Sequence, residues 1–346
     1  MIPHRTIISA VLLGTSVHAS AQPDGATIAE PLTTPPAGEP AGEPGVTDEP
    51  GTEPSPLLDD TDAELSLRQM PDFPIIRYTP SGVIGYRSDA GLDGPGSFAV
   101  TTVASSIDVA IVTSPTLTLS AGFTAEYTSY EFDGGDPLLP GVAGSEDPFD
   151  QAESYEISLT TIVRTSERVS WLAIGTVASA FEPGADFGDS VSGTVLVGGL
   201  YQFSENLRLG AGVIVAFDLD GQPNVIPIPN IDWQIDERWR LSSGRFGLQL
   251  MYEQSEQLKL GVGSRFVGRE FRLSDDAPVP GGIVEDDSIA IAGILEWTPV
   301  QNLNVELAAG AQIVGELILR DANDVRVFDS DIDTAFVGAL RVTYSF

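Results

Sequence analysis

The sequence predicts an all-β protein, a transmembrane antiparallel up-and-down barrel of about 12–14 strands. Segments that alternate apolar and polar residues recur between positions 97 and 346, and several exceed ten residues. Strands of soluble sheets average about 5–6 residues, whereas a strand that crosses a bilayer at a tilt needs about 9–11. After the N-terminus, no run reaches the ~18 consecutive apolar residues of a transmembrane helix. Membrane residence would therefore depend on strands.

The composition excludes several classes of partner and site. The 346 residues include no cysteine, 36 glycines and 25 prolines, and they carry a formal charge of -33. Disulfides and thiolate metal sites are impossible. Lys259 is the only lysine, and nucleic-acid binding needs clusters of Lys and Arg, so we expect no nucleic-acid partner.

Residues 1–21 have the features of a cleaved secretory signal peptide. His4 and Arg5 precede the apolar stretch from Ile7 to Val17, and residues 19–21 form a small-x-small cleavage site. Cleavage would remove His4 and His18, leaving a mature chain with neither histidine nor cysteine. Ser-His-Asp relays, Cys-His pairs and the usual zinc sites would then lack a necessary member. A carboxylate pair remains possible, but no spacing singles one out. We therefore expect no enzyme activity, no catalytic residue, no cofactor and no resident metal.

Residues 22–70 form a second region of different composition, rich in Pro, Gly, Glu, Asp and Thr. The motif of residues 36–40 is repeated almost at once in residues 41–44. Too little apolar surface is present to offset the entropy of ordering, so this segment is predicted to be a disordered acidic tether. It could reach a partner in the periplasm or serve as a solvated spacer.

The barrel is predicted to span residues 72–346. The clearest alternating segments cover residues 117–127, 207–218, 258–266 and 303–313. Short turns alternate with longer acidic loops, as in outer-membrane barrels; the loops are expected at 133–152, 182–189, 218–224, 274–287 and 321–324. Consecutive strands of such a barrel run in alternate directions, so if the last strand ends at the short-turn side, a strand of opposite direction must precede residues 98–113. Residues 75–87 are the candidate. Counting from there gives about 14 strands if residues 225–235 and 238–242 form a hairpin in the wall, and about 12 if that hairpin stays outside.

Aromatic residues are predicted to form a girdle at each membrane interface. The girdle near the short turns comprises Trp171, Tyr201, Phe203, Trp233, Trp239, Tyr252 and Trp297. The one near the long loops comprises Tyr127, Tyr130, Phe132, Tyr155, Phe181, Phe217, Phe266 and Phe336.

The opposite faces of the strands would line the lumen with Thr, Ser and Gly, interrupted by charges. The charged candidates are Asp108, Glu126, Glu156, Arg164, Arg208, Lys259, Arg265, Glu296, Glu306 and Arg341. These charges could line a water-filled pore for ions or small polar solutes, which is the function we expect. They could instead pair across the lumen and close it, leaving a structural or surface-binding barrel. An outer-membrane hydrolase is the third and weakest alternative.

The C-terminal strand places Leu340, Val342, Tyr344 and Phe346 on one face and Arg341, Thr343 and Ser345 on the other. This ending resembles the C-terminal sorting strand of bacterial outer-membrane β-barrels. The resemblance implies insertion into outer-membrane lipid by the outer-membrane assembly machinery.

A second resemblance concerns residues 231–241, with the sequence IDWQIDERWRL. This segment is similar to one in a planctomycete family of outer-membrane β-barrels. The family implies the fold and no substrate or catalytic residue.

Two expected outer loops are strongly acidic. They could gather divalent cations, bias a pore toward cations, or simply keep the loops soluble. Their acidic residues are Asp133, Asp136, Glu146, Asp147 and Asp150 in one loop, and Asp275, Asp276, Glu285, Asp286 and Asp287 in the other.

Overall fold

The computed structural model describes residues 74–94, 96–133, 138–139, 142, 145–219, 221, 223–244 and 247–346. The predicted signal peptide (1–21) and tether (22–70) lie outside these residues. The described residues form fifteen strands and one three-residue 3-10 turn, Gly188–Ser190. The strands are β1 (Ile75–Gly91), β2 (Ser97–Ser114), β3 (Leu117–Asp133), β4 (Gln151–Arg164), β5 (Val169–Phe181), β6 (Val191–Ser204), β7 (Leu207–Phe217), β8 (Pro223–Gln234), β9 (Trp239–Gly244), β10 (Gly247–Ser255), β11 (Leu258–Arg272), β12 (Ile283–Val300), β13 (Leu303–Arg320), β14 (Arg326–Asp331) and β15 (Ala335–Tyr344).

The strands close into one antiparallel barrel with fourteen wall positions. From β1 to β13 each strand pairs with the next along the chain, and β15 closes the wall by pairing with both β1 and β13. β14 pairs with residues 316–320 of β13 and β15 with residues 303–312, so these two strands share one position. The all-β barrel prediction is confirmed. The 14-strand count holds rather than 12, because β8 and β9 lie in the wall between β7 and β10.

Short turns lie at one end of the barrel, here called the short-turn end, and the longer loops lie at the other, the long-loop end. In the β8–β9 turn, the exposed Asp236 carboxylate accepts the backbone N–H groups of Arg238 and Trp239, each at 2.8 Å. These two hydrogen bonds lower the pKa of Asp236. Among the described residues, no helix is long and apolar enough to span a membrane.

One predicted loop boundary was wrong. Residues 274–287 were expected to form a loop, but β12 begins at Ile283 and includes Glu285, Asp286 and Asp287. All three side chains are buried. The acidic run is therefore part of the wall, and only Asp275 and Asp276 of that predicted group belong to the connection.

Contacts between distant strands identify the lumen face. Arg269 on β11 forms an ion pair with Glu126 on β3, six wall positions away, so both side chains point inward. The unshifted register between β11 and β12 then places every odd residue of β11 and every even residue of β12 on the inner face. Following the pairing register from each strand to the next around the wall identifies the inward-facing residues of every strand.

The long-loop end is narrower than the short-turn end. β6 to β10 have 14, 11, 12, 6 and 9 residues, whereas β1 to β3 have 17 or 18. Beyond these shorter strands, β5 and β11 meet directly through a parallel pairing of Phe181 with Arg272. Nine wall positions therefore surround the lumen at the long-loop end, and fourteen surround it nearer the short turns.

A cluster of apolar side chains, here called the lumen core, fills this narrow end. It includes Phe98, Tyr130 and Phe271 from the wall, and Leu138, Leu139 and Phe149 from the β3–β4 loop. The ring centroid of Phe149 lies 5.0 Å from that of Tyr130 and 5.3 Å from that of Phe271. The prediction that Tyr130 and Phe132 belong to an outer girdle was wrong. Their even positions on β3 turn them inward, where they pack in or against the lumen core.

Candidate functional site

A layer of polar side chains crosses the lumen directly beneath the lumen core. This charged layer consists of Arg87 on β1, Glu126 on β3, Arg269 on β11, Asp286 on β12 and Gln312 on β13. Residues on five strands thus meet at one level of the barrel.

Asp286 is the centre of the charged layer and its side chain is 0% exposed. Arg87 donates to both of its carboxylate oxygens, at 2.8 and 3.3 Å, and Nη1 of Arg269 lies 3.6 Å away. The Tyr130 hydroxyl donates from above at 3.4 Å. A buried carboxylate needs this degree of compensation because loss of hydration is otherwise very costly.

Arg87 and Arg269 connect the charged layer to the surrounding wall. Arg87 also donates to Gln312 Oε1 at 3.1 Å, and its guanidinium carbon lies 4.6 Å from the ring centroid of Phe98 in the lumen core. Arg269 donates to Thr102 at 2.9 Å in addition to its pair with Glu126. The lumen core and the charged layer therefore form one packed unit.

A second set of charges lies near the short-turn end. Five adjacent strands place these side chains side by side on the inner face, in a lower row of Glu253, Lys259, Glu296, Glu306 and Arg341. Lys259 Nζ lies 3.5 Å from Glu253 Oε2, and both side chains remain about 40% exposed (41% and 42%). Beside this row, Arg240 Nε lies 2.8 Å from Asp232 Oδ1, and Arg208 Nη1 lies 3.9 Å from Asp232 Oδ2. Solvent-accessible ion pairs of this kind contribute little to stability, and ions from solution can replace either partner.

The side chains between the two charged levels are small, except on one side of the barrel. On β11 the inner face carries Gly261 and Gly263 between Lys259 and Arg265. The buried side chains of Met251, Ile294 and Ala308 pack together at the height of Gly261. On β2 and β3 the inner face carries Ser106 and Thr124, which are half-buried rather than buried. Water can therefore enter the lumen between the levels along β2 and β3.

All ten residues predicted to line the lumen lie on the inner face by register. Lys259, Glu296, Glu306 and Arg341 belong to the lower row. Arg164 and Arg208 are exposed near the same end. The structure brings Glu126 into the charged layer, while Asp108, Glu156 and Arg265 lie between the levels. Their role in a conducting pore stays a prediction.

Four members of the charged layer were not predicted: Arg87, Arg269, Asp286 and Gln312. For Arg269 the signal was present, because it continues the alternation of Lys259 and Arg265 along one strand face. Asp286 was assigned to a loop because it lies in an acidic run, and Gln312 has no distinguishing pattern.

The seven residues predicted to form the girdle near the short turns all lie on the outer face by register, and six of them are exposed; Tyr252 is half-buried. In the C-terminal strand, Leu340, Val342 and Tyr344 also face outward and are exposed. The rings of Phe346 and Tyr344 pack edge to face with a centroid distance of 4.7 Å, and the Phe346 backbone N–H donates to the backbone carbonyl of Tyr78 on β1. Their roles at a lipid interface and in sorting stay predictions.

Two cavities adjoin the space between the charged levels. One of about 50 Å³ lies between β3, β4 and β11, bordered by Glu126, Ser154, Arg265 and Arg269. Another of about 10 Å³ lies beside Glu156. Within the part of the chain that the structure describes, no group of three or more acidic or histidine side chains could hold a metal ion.

No protein-family model matches the chain, and no curated protein matches it in sequence. Solved structures of similar topology include the toluene transporter TodX of Pseudomonas putida, at 10% identity and a TM-score of 0.43, covering 81% of this chain and 91% of TodX. An outer-membrane channel of Pseudomonas putida F1 has 10% identity and a TM-score of 0.44, covering 80% of this chain and 97% of the channel. The translocator domain of the autotransporter NalP of Neisseria meningitidis has 10% identity and a TM-score of 0.34, covering 82% and 96%. The closed antiparallel wall, short turns at one end and exposed apolar outer face are the architecture of a bacterial outer-membrane barrel.

Proposed function

We propose that this protein is a passive, porin-like channel of the bacterial outer membrane for ions or small polar solutes. The observation that carries the proposal is the accessible part of the lumen along β2 and β3, between the lower row and the charged layer. Side chains such as Ser106, Asp108 and Thr124 are half-buried there. In a barrel filled by its own side chains they would be as buried as Phe98 and Leu317 are in the lumen core.

The lumen core is the barrier on this route. Leu138, Leu139 and Phe149 belong to the β3–β4 loop and not to a strand. Connecting loops are the usual mobile elements of such barrels. The side chains of Leu138, Leu139 and Phe149 are therefore the gate in this proposal.

A closed barrel with a structural or surface-binding role is the second candidate. The observation that favours it is the buried ion pair between Arg87 and Asp286, which spans the lumen beneath the core. Membership of the planctomycete barrel family and the absence of enzyme activity stay predictions beside either function.

Planar-bilayer recording separates the two candidates. The protein is refolded in detergent and compared with Phe149→Ala, with Phe187→Ala as the matched control because Phe187 is exposed in the β5–β6 connection. We expect discrete conductance steps that are more frequent in Phe149→Ala than in the other two proteins. Reversal potentials across a salt gradient then give the ion preference. Correctly folded barrels that conduct in none of the three forms would overturn the channel proposal in favour of the closed barrel.

A further inference from the structure

We propose that the lumen holds one binding site for a monovalent metal cation, with the carboxylate of Glu156 as its main ligand. Binding at this site on the inner face of the wall does not require the barrel to conduct. The site would also lie outside both charged levels described above.

Glu156 carries a buried carboxylate with one oxygen that no hydrogen bond compensates. The residue is 2% exposed, and its Oε2 atom has no hydrogen-bond partner. Its cross-strand partners on the inner face are Thr124 and Ala178, and its neighbours along β4 are Ser154 and Ser158. None of these four is basic. The burial of an ionised carboxylate is strongly unfavourable unless a positive charge or hydrogen bonds replace its hydration.

The charges that act on Glu156 make its isolation more severe. Asp108 and Glu126 both repel its negative charge. The guanidinium of Arg269 is already engaged with Glu126, Thr102 and Asp286. A bound cation would compensate this carboxylate in its ionised form, and protonation is the alternative that the test below distinguishes.

The cavity of about 10 Å³ beside Glu156 has the size and donors for a single ion. This volume corresponds to roughly one water-sized particle. The hydroxyl-bearing residues Thr176, Ser192 and Thr194 line it, and none of the described lining residues is basic. Carboxylate and hydroxyl oxygens are donors that hard cations prefer.

The site fits a monovalent cation better than a divalent one. Two other acidic residues border the cavity, but Glu270 Oε2 accepts the backbone N–H of Leu219 at 3.0 Å, and Asp218 bonds to Asn224. Ca²⁺ takes 6–8 oxygen ligands, usually from several carboxylates. As noted, no acidic group among the described residues meets that requirement. One carboxylate with neutral hydroxyls balances a single positive charge.

Thermal unfolding of the full chain in detergent tests this site with Na⁺ as the probe. Na⁺ replaces choline at constant ionic strength, and unfolding is followed by circular dichroism. For the native sequence we expect a saturable rise in the unfolding temperature of roughly 2–4 °C as Na⁺ reaches tenfold excess over its dissociation constant. Glu156→Gln should abolish this rise. Glu306→Gln, a matched lumen variant in the lower row, should retain it.

Direct binding gives an independent readout if Glu156→Gln folds poorly. Broadening of the ²³Na resonance should be seen with the native protein and should weaken in Thr194→Val, which keeps the carboxylate and removes a lining hydroxyl. Absence of any Na⁺ effect on the native protein would overturn the proposal and leave Glu156 a neutral carboxylic acid. Retention of the full effect in Glu156→Gln, or an equal shift at much lower Ca²⁺, would also overturn it. None of these outcomes bears on conductance, so the channel proposal is tested separately.

Discussion

Individual buried side chains determine which strands contact each other across the lumen of this barrel. Arg87 was unremarkable in the sequence, since it ends one alternating segment, yet it bonds to both oxygens of a carboxylate 199 residues away. The parity of an alternating strand predicts which way a side chain points. By register, all ten candidate lumen residues share the inner face, and their role in lining a pore stays a prediction. Parity cannot predict which inward side chains meet, because that depends on the curvature of the whole wall.

Loss of Arg87 should cost much more stability than loss of an exposed arginine. Arg87→Met leaves Asp286 buried with only the more distant Arg269, and we expect the free energy of unfolding to fall by about 3–5 kcal/mol. Arg326→Met is the matched control, because Arg326 and its partner Asp329 are 38% and 43% exposed and such pairs contribute about 0–1 kcal/mol. Urea unfolding in detergent measures both. Equal losses would contradict the assigned role of Arg87.

Gly310 is required by close approach between strands. A Cβ atom there would lie 2.0 Å from the backbone oxygen of Ile291 and 2.5 Å from the Cα atom of Ala292. Gly310→Ala should therefore force β13 away from β12 and destabilise the barrel by about 1–3 kcal/mol. Gly82→Ala is the control, since nothing lies within 4 Å of the added atom. Urea unfolding midpoints that shift equally for both variants would contradict this reason for glycine.

At the scale of elements, β12 shows where local sequence misleads. Three consecutive acidic residues predicted a solvated loop, but they continue a strand. Asp286 faces inward to Arg87 and Arg269, and Glu285 faces outward to Arg320. Alternation splits the run between two faces, and each face supplies a cation from another strand. A run of charged residues is predicted to be a loop because the sequence does not show which cations on other strands will pair with it.

The last strand should matter for assembly more than for stability. Phe346 is 71% exposed and packs mainly on Tyr344. If it is part of a sorting strand, Phe346→Ala should lower the amount of barrel in the outer membrane while the refolded protein keeps its unfolding temperature. Phe203→Ala, at a phenylalanine that is also exposed on the outer face (59%), should leave the amount unchanged. The heat-shifted band of cell envelopes on a denaturing gel measures the assembled fraction. Equal amounts for both variants would contradict a sorting role.

At the scale of the molecule, the contact between β5 and β11 converts a fourteen-position wall into a nine-position wall at the long-loop end. This narrowing lets a modest set of side chains fill the lumen there. Residues 225–242 were expected to form a short hairpin, but their length could not indicate that β5 and β11, separated by the five strands β6–β10, would pair with each other.

An engineered disulfide tests this contact, and the absence of native cysteines keeps the background clean. Phe181→Cys combined with Arg272→Cys should form a crosslink on mild oxidation, because paired backbones bring Cα atoms within the range a disulfide needs. Phe181→Cys combined with Leu248→Cys on β10 should stay reduced. Thiol labelling of the unfolded chain distinguishes the two results. A crosslink in the second pair alone would show that β5 and β11 remain apart.

The sequence by itself determined the barrel, the alternation of inner and outer faces, the short-turn end and the inward charges, because each follows from the two-residue period of a strand and the length needed to cross a bilayer. Only the tertiary structure decided that β8 and β9 belong to the wall, that Tyr130 and Asp286 meet inside it, and that the lumen core fills one end. These features arise from contacts between strands far apart in the chain. These contacts form only when the wall closes, so a pattern of neighbouring residues in the sequence cannot predict them.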